Sequence, residues 1–419
     1  MTDARLRLRR EPDFARFWTA QAVSLLGSQV TIMALPLTAI LTLHSGPLGT
    51  GLLFFGQYLP ALFFGLHSGA VVDRFGKRTV LVISDAARAM LLAAVVVLAV
   101  THALNMPLLV LLAFFVGTFD TLAMICGQAY VPSLVDEPHL MAANARLQQV
   151  STFAEVAGNG LAGLLVQALT APVALVVDVA SFLFSAVVTA TVRRQGAPEP
   201  AADGEPEARA RDGLAFVFGH PRLRAITLCA STSNFFSSLM VALYLLFATR
   251  TLGLSPGLIG VLLTVASCAA LVSTGVTGAA NKRFGVRGTL VAAQLVMAAG
   301  CVILPFAGGP LVVKSVLLML SHGVFVVGMV AFMITQITYR QQVTPQRMQG
   351  RVHAANHVFA YAGYAIGALV GGVLGSTIGL RPALVIGALG HIVAAAWLLP
   401  RRAGVGDATP AAEVADVPA

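Results

Sequence analysis

The sequence predicts an all-α membrane protein with twelve transmembrane helices, arranged as two six-helix halves related by an internal repeat. Three observations support this fold class: the composition, a series of long apolar segments, and a charged motif that returns in the second half. Of the 419 residues, 57% are hydrophobic and 11% are charged, whereas soluble domains average about 25% charged residues. Because the mean hydropathy is +0.83, most of this chain has to avoid water, which disfavours a soluble multi-domain enzyme.

Twelve apolar segments are long enough to cross a hydrocarbon core of about 30 Å. In the first half they lie at 17–43, 49–71, 79–100, 107–130, 145–169 and 172–192. In the second half they lie at 223–249, 256–280, 288–306, 311–338, 353–377 and 383–400. We therefore divide the chain into an N-terminal half (1–192), a cytoplasmic linker (193–222), a C-terminal half (223–402) and a disordered cytoplasmic tail (403–419). The Pro, Ala, Gly and charged residues at 195–215 predict that the linker is flexible.

The basic residues predict the orientation of the chain. Of the 27 Lys and Arg residues, 23 fall in the termini and loops of one side, three fall on the other side, and Arg88 lies within a span. The positive-inside rule places the basic side, and with it both termini, in the cytoplasm. These residues lie in short loops and form no basic face interleaved with aromatics, so the net charge of +9 does not indicate nucleic-acid binding. We expect no removable signal peptide at the N-terminus.

A charged motif occurs twice, as SGAVVDRFGKRTV at 68–80 and as TGAANKRFGVRGTL at 277–290. The two copies are 209 residues apart, and eight of fourteen aligned positions are identical. A weaker similarity, at an offset of 208, aligns 153–163 with 361–371. Internal repeats of this size in a membrane chain indicate a transporter built from two related halves.

The first copy of the motif resembles the loop 2–3 signature of the major facilitator superfamily, through Gly69, Asp73, Arg74, Gly76, Lys77 and Arg78. A degenerate second copy keeps Gly278, Arg283, Gly285 and Arg287. The segments YVPSLVDEPHLMAANARLQ, VTPQRMQGRVHAAN and VDVASF are similar to the bacterial branch of macrolide, multidrug and siderophore exporters. In span 5 the chain lacks the proline of the Gly-Pro-x-x-Gly-Gly pattern of many drug–proton antiporters, and reads Gly-Asn-Gly-Leu-Ala-Gly at 158–163.

The resemblance implies a secondary active transporter that exports drug- or siderophore-like amphipathic molecules by proton antiport and alternating access. Its expected partners are a small organic substrate, protons and the lipid bilayer, and we expect a monomer in the bacterial cytoplasmic membrane. The resemblance also implies that the motif forms a gate on the cytoplasmic side. There Asp73 would face the positive N-terminus of span 11 near Arg351, and Arg74 would hold its carboxylate. The alternative is that these charges only anchor a turn and fix the topology.

Ionisable groups inside a membrane are costly, so the acids within spans are candidates for function. They are Asp85, Asp120, Glu155 and Asp178, all in the first half. In the fold that the resemblance implies, spans 4 and 5 line the central cavity, which makes Asp120 and Glu155 candidates for proton coupling or for a counter-charge to a cationic substrate. The alternative is that each is a protonated or hydrogen-bonded acid packed between helices. Asp85 and Asp178 fall on the outer spans of that fold, so we interpret both as structural residues. Asp85 can form an ion pair with Arg88, which lies three residues later on the same helix face.

The remaining polar residues predict a mixed polar and aromatic pocket, which suits an organic solute better than a bare ion. The candidates for its lining are Gln29, Gln57, Asn234, His322, Gln336, Tyr361 and Tyr364. His353 and His357 share a helix face, but two histidines without a third ligand do not predict a metal site.

The sequence contains no P-loop, HExxH motif or nucleophile elbow, so we expect neither an enzyme nor a cofactor. Two alternatives to an exporter stay open. They are an importer or uniporter of a small organic solute, and a non-transporting receptor or scaffold on the same fold.

Overall fold

The computed structural model describes residues 11–194, 206–345 and 348–399. Of the helical residues 63–75, 206–211 and 354, only the backbone is described. Within these ranges the regular structure is helical throughout, with no strand, as the sequence predicts. The expected C-terminal tail, 403–419, lies outside the described residues.

The first half contains six long helices: α1 (Pro12–Leu37), α2 (Pro47–Phe75), α3 (Lys77–Val100), α4 (Met106–Leu134), α5 (Leu140–Leu169) and α6 (Ala171–Ala190). The second half contains α8 (Pro221–Leu246), α9 (Pro256–Ser267), α10 (Ala269–Ile303), α11 (Leu311–Val343), α12 (Gln349–Thr377) and α13 (Leu380–Ala396). A further helix, α7 (Pro206–Gly219), lies between the halves. Every predicted span overlaps at least one of these helices. The predicted span 256–280 runs from α9 into α10, and the predicted span 288–306 begins on the same helix, α10.

By length and composition alone, eight segments of the described chain are apolar enough to cross a membrane. One of them, Pro256–Phe306, runs through α9 and α10 and is 51 residues long. It is interrupted at Gly285, whose φ of 69° is not helical. The described chain is therefore an all-helical membrane protein with eight candidate spans.

Local sequence signals explain where several helices begin. Gly76 adopts φ 77° between α2 and α3, in the left-handed region that glycine enters without strain. Gly285, at the same place in the second copy of the motif, also has a positive φ, of 69°, within α10. The Asn105 side chain accepts a hydrogen bond from the Leu108 amide at 3.0 Å and caps α4. Short π-helical turns, Thr38–Thr42 and Phe247–Thr251, follow α1 and α8 at positions 209 residues apart.

The helices of the two halves pack in matching pairs. In the first half, α1 packs on α5 and α6, α3 packs on α4 and α6, and α2 packs on α4. In the second half, α8 packs on α12 and α13, α10 packs on α11 and α13, and α9 packs on α11. Between the halves, the extensive contacts are α2 with α12 and α5 with α9.

Two glycine pairs bring the halves together, and we call them the glycine seal: Gly51 with Gly372, and Gly163 with Gly260. A Cβ added to Gly51 would lie 2.7 Å from Gly372 Cα, and one added to Gly163 would lie 2.8 Å from Gly260 Cα. Such contacts require glycine on both helices. The two pairs are related by the same offset of 209 residues as the charged motif, because 51 and 163 become 260 and 372. In the structure, Gly163 therefore corresponds to Gly372. The weak sequence alignment, whose offset is 208, instead pairs Gly163 with Gly371.

The glycine seal defines the two ends of the bundle. The seal end holds the starts of α2 and α9 and the ends of α5 and α12, and the opposite end, which we call the motif end, holds Gly76 and Gly285. Arg250 Nη2 also joins the halves at the seal end, where it donates to Ile40 O at 3.1 Å.

Helix α7 shows that part of the expected flexible linker is ordered against α12. Arg351 Nη1 of α12 contacts Asp212 Oδ2 at 2.6 Å. The rings of Phe218 and Phe359 lie 5.5 Å apart, and Val217 is buried. These contacts place α7 beside the start of α12, at the motif end.

Candidate functional site

The motif arginines contact their own halves. Arg78 Nη1 donates to Val192 O at 2.7 Å, just after α6, and Arg287 Nε donates to Leu398 O at 2.6 Å, just after α13. Both therefore tie the helix that follows a motif turn to the end of the same half. In the second copy, the guanidinium of Arg283 lies 5.4 Å from the Phe284 ring centre, and a Cβ on Gly278 would meet open space.

The gate expected at Asp73 stays a prediction. The side chains of Asp73 and Arg74, and the surroundings of Gly69, lie outside the described part of the structure. Lys77 is buried, and its carbonyl oxygen accepts a hydrogen bond from Cys126 Sγ at 3.0 Å. Arg351, which we expected near Asp73, contacts Asp212 of α7.

A charged cluster joins α3, α4 and α6. Arg88 contacts Asp85, as the three-residue spacing predicts, and its Nη1 also lies 2.6 Å from Asp120 Oδ1. Ser185 Oγ donates to Asp85 Oδ2 at 2.6 Å. The sequence placed no basic partner for Asp120 on its own helix, but the structure supplies one from α3. Arg88 is thus shared between a buried acid, Asp85, and an acid whose side chain is 43% exposed, Asp120.

Asp178 forms a second polar cluster near the first. Its carboxylate accepts hydrogen bonds from Thr31 Oγ1 of α1 and, at 2.7 Å, from Ser181 Oγ. Beside it, the Phe182 ring lies 4.1 Å from the guanidinium carbon of Arg88. The fully buried Asp178 is therefore hydrogen-bonded between helices.

Glu155 is exposed, and no ion pair of its carboxylate occurs among the described residues. Its helix face can be read from its neighbours: Gln148 and Ser151 line a cavity on one side, and Asn159 lines another. Because residues four apart on a helix share a face, Glu155 lies on the helix face of Ser151 and Asn159.

We call these two spaces the side cavity and the central chamber. The side cavity, about 500 Å³, is lined by first-half residues, among them Gln57, Arg88, Asp120, Gln148 and Asp178. The central chamber, about 230 Å³, lies between the halves and is mainly apolar. Its walls include Ile32, Phe54, Tyr58, Met240, Tyr244, His322 and Phe325. Ile32 lines both spaces, so they adjoin.

A tyrosine cluster crosses from α2 to α12 beside the chamber. Ring centres lie 5.2 Å apart for Tyr58 and Tyr364, and 6.3 Å apart for Tyr58 and Tyr361. The Tyr361 hydroxyl lies 3.9 Å from Met124 Sδ, a residue of the side cavity. The cluster therefore lies where the two spaces meet.

Comparison with known proteins identifies the family. The model of the MFS_3 family, described as transmembrane secretion effector, matches residues 6–417. The chain belongs to this family.

Two curated relatives and one solved structure are similar over most of their length. The multidrug efflux pump Tap of Mycolicibacterium fortuitum is 26% identical over 365 residues, covering 85% of this chain and 87% of the relative. The uncharacterized MFS-type transporter YfiS of Bacillus subtilis (strain 168) is 24% identical over 381 residues, covering 88% of each. A bacterial homologue of the iron transporter ferroportin, solved in an inward-facing state, shares the fold with a TM-score of 0.73 and 15% identity, covering 92% of this chain and 97% of that one. The chain is therefore a multi-pass membrane transporter of the MFS type.

The structure places only some of the candidate lining residues of this MFS_3 transporter at the two cavities. Gln57 lines the side cavity and His322 lines the central chamber. Tyr361 and Tyr364 contact Tyr58 at the chamber edge. Gln29 packs against Gly158, where an added Cβ would lie 2.4 Å from Gln29 Cβ. Asn234 and Gln336 are not among the described residues that line either space.

His353 and His357 lie close together on α12. The His353 and His357 rings lie 6.3 Å apart, and His357 stacks on Tyr361 at 4.3 Å. Among the described residues, no group of three or more potential ligands could hold a metal ion.

Sequence reasoning missed Tyr58, Tyr244 and the contact of Arg88 with Asp120. Apolar spacing marks Tyr58 and Tyr244 only as residues of long spans. Arg88 carried a signal, since a buried arginine in a span needs partners. Its second partner depends on which faces of α3 and α4 meet, and that is set by packing.

Proposed function

We propose that the chain is a proton-coupled secondary exporter of amphipathic organic molecules. The observation that carries this proposal is the central chamber between the halves, adjoining a cavity that is lined by Arg88 and Asp120. An apolar chamber with a few polar groups suits an organic solute, and membrane-embedded acids suit the carriage of protons.

The transport cycle we propose is alternating access between two repeat-related halves of six crossings each. The matching helix pairs and the repeat-related glycine contacts support the two halves and the twelve crossings. With the glycine seal closed, we propose that the chamber opens toward the motif end. Since one chain supplies both walls of the chamber, we propose that it functions as a monomer.

We propose that the motif end is cytoplasmic, that both termini are cytoplasmic, and that the protein resides in the bacterial cytoplasmic membrane. The excess of basic residues at that end supports this orientation. Export is supported by the relative named as the multidrug efflux pump Tap.

Proton coupling is assigned to Asp120, with Glu155 as the second acid. In the structure Asp120 contacts Arg88 and is also partly exposed to the side cavity, so protons can reach it. When Asp120 takes up a proton, Arg88 keeps Asp85 as its partner. The buried guanidinium is then never left without a counter-charge, which would be strongly unfavourable.

The test is transport in reconstituted vesicles across dyes, antibiotics and siderophores, with and without a pH gradient. Asp120→Asn and Glu155→Gln are compared with Glu137→Gln, which removes a carboxylate from an exposed turn outside the cavities. At least one cavity variant should lose gradient-driven export by about tenfold, equivalent to about 1.4 kcal/mol. The control should transport like the parent.

Three other outcomes would contradict the proposal. Transport without any effect of a pH gradient would favour a uniporter. Uptake driven in the opposite direction would favour an importer. No transport of any compound, with unchanged folding of all variants, would favour a receptor or scaffold.

A further inference from the structure

We propose that α7 braces the two halves at the motif end, and that its docking favours the state in which the glycine seal is closed. The inference goes beyond the transport of a substrate and rests on the alternating access proposed above. It follows from two contacts of α7: a close backbone approach to α12 of the second half, and packing on α2 of the first half.

The contact with α12 is a direct approach of two helix backbones. A Cβ added to Gly213 would lie 2.3 Å from Arg351 O and 2.7 Å from Arg351 C. Only glycine fits at this position, because the two nearest atoms belong to the backbone and cannot rotate away. At the neighbouring residue of α7, Asp212 Oδ2 contacts Arg351 Nη1 at 2.6 Å. The first turn of α12 therefore holds α7 by steric fit and by charge.

Apolar packing makes α7 part of the second half. Val217 is buried and belongs to the same apolar cluster as Val352 of α12 and Tyr339 of α11. The ring of Phe218 lies 5.5 Å from that of Phe359 of α12. Because closely packed elements move together, we expect α7 to move with the second half when the transporter changes state.

The second contact of α7 crosses between the halves, since α7 also packs on α2. Helices α2 and α12 already meet at the seal end, through Gly51 and Gly372, and beside the chamber, through Tyr58 and Tyr364. The contact of α7 adds a third connection, at the motif end. Because α7 is fixed to α12, a movement of α2 against α12 at this end has to change the contact of α7 with α2.

The first half holds the other end of the connecting segment. The backbone amides of Arg193 and Arg194 donate to the carboxylate of Asp13 at 3.2 and 3.0 Å, and Arg194 Nη1 donates to Leu134 O at 3.1 Å. With α7 docked, the fixed points of the two halves are separated along the chain by 195–205, and without it by 195–220. The reach of a chain grows with its number of residues, so docking of α7 also limits how far the halves can separate.

These contacts determine which state the brace favours. In the structure the glycine seal is closed and α7 packs on both halves. A contact that is made in one of two states stabilises that state. Undocking of α7 should therefore raise the population of states that are open at the seal end.

The experiment measures the distance between spin labels at 169 and 251, exposed positions at the seal end, on the full-length protein in lipid nanodiscs and without native cysteines. Gly213→Ala places a methyl group against the backbone of Arg351 and should increase the population of long distances at least about threefold. The matched control is Gly219→Ala in the same helix, where an added Cβ meets nothing within 4 Å. It should leave the distances unchanged.

Undocking of α7 has a separate readout. Trypsin cleaves after arginine, and α7 contains Arg209 and Arg211. Proteolysis requires local opening of the chain, so Gly213→Ala should accelerate cleavage at these two sites several-fold relative to Gly219→Ala. The cleavage sites are identified by the masses of the fragments.

A charge exchange tests the brace without the steric clash, and it also serves if Gly213→Ala does not fold. Asp212→Arg replaces the attraction to Arg351 by repulsion, and should shift the distances in the same direction as Gly213→Ala. Asp212→Arg combined with Arg351→Asp restores opposite charges, and should return the distances toward those of the parent.

Unchanged or shorter distances in Gly213→Ala, despite faster cleavage in α7, would overturn the brace and leave α7 as a cover on α12. If cleavage and distances both stay unchanged, the close approach at Gly213 does not hold α7, and the proposal fails. These outcomes are separate from the test of the proposed function. Export driven by a pH gradient with unchanged distances would retain the exporter and reject the brace. Shifted distances without any pH-driven transport would retain the brace and reject proton coupling.

Discussion

Replacing one glycine of the seal by alanine should separate the halves at the seal end. A Cβ on Gly163 would lie 2.6 Å from Pro256 O and 2.8 Å from Gly260 Cα. Both are backbone atoms, so no side chain can rotate away, and α5 and α9 have to move apart. Ordinary van der Waals contact requires roughly 1 Å more at this point.

The size of the effect follows from this clash. Overpacking of this kind costs about 1–3 kcal/mol, which shifts an equilibrium between two states by about 5- to 150-fold. The cost falls only on the conformation in which the seal is closed. Gly163→Ala should therefore favour conformations that are open at the seal end, even though alanine stabilises the α5 helix itself by about 1 kcal/mol.

The assay is a distance measurement between spin labels at 169 and 251, exposed positions at the seal end of each half. The labels replace Leu169 and Thr251 in a background without the native cysteines. Gly163→Ala should increase the population of long distances. The matched control is Gly275→Ala in α10, where an added Cβ meets nothing within 4 Å. If Gly163→Ala and Gly275→Ala give the same distances and the same transport, the glycine contacts do not set the closed state.

Three further predictions concern the rest of the molecule. Cysteines at 45 and 102 should react with an impermeant reagent added outside intact cells, and one at 203 should not; labelling at 203 would reverse the orientation. Asp73→Asn should insert normally but slow transport and favour conformers open at the motif end. Unchanged transport and unchanged cysteine accessibility there would leave Asp73 as a turn anchor. Arg88→Met should lower the free energy of unfolding by about 3 kcal/mol, since it leaves Asp85 buried without its cation. A thermal melt like that of the parent would show that Arg88 does not stabilise the cluster.

The sequence predicted those features of the fold that depend on nearby residues. Apolar runs located the helices, because a helix that crosses a membrane has to be apolar along its length. The motif marked the break between α2 and α3, where Gly76 adopts a positive φ, and its second copy marked Gly285, which does the same. The ion pair of Asp85 with Arg88 followed from a spacing of three residues.

Contacts between distant helices could not be predicted in the same way. The contact of Arg88 with Asp120 depends on how α3 rotates against α4, and a hydrophobic period does not encode the rotation of long, almost uniformly apolar helices. The tyrosine cluster likewise depends on the crossing of α2 and α12. Composition marked 195–215 as a linker, but its Ala and Arg residues also favour helix, and the apolar residues Val217 and Phe218 let α7 dock.

The docking of α7 determines where the polypeptide could be divided. A chain broken between Arg194 and Pro206 would leave α7 attached to the fragment that contains α12, with the contact of Asp212 and Arg351 intact. A break after Gly219 would instead leave α7 on the N-terminal fragment, separated from α12. Co-expression of two fragments, or insertion of a fluorescent reporter, is therefore best placed on the N-terminal side of α7.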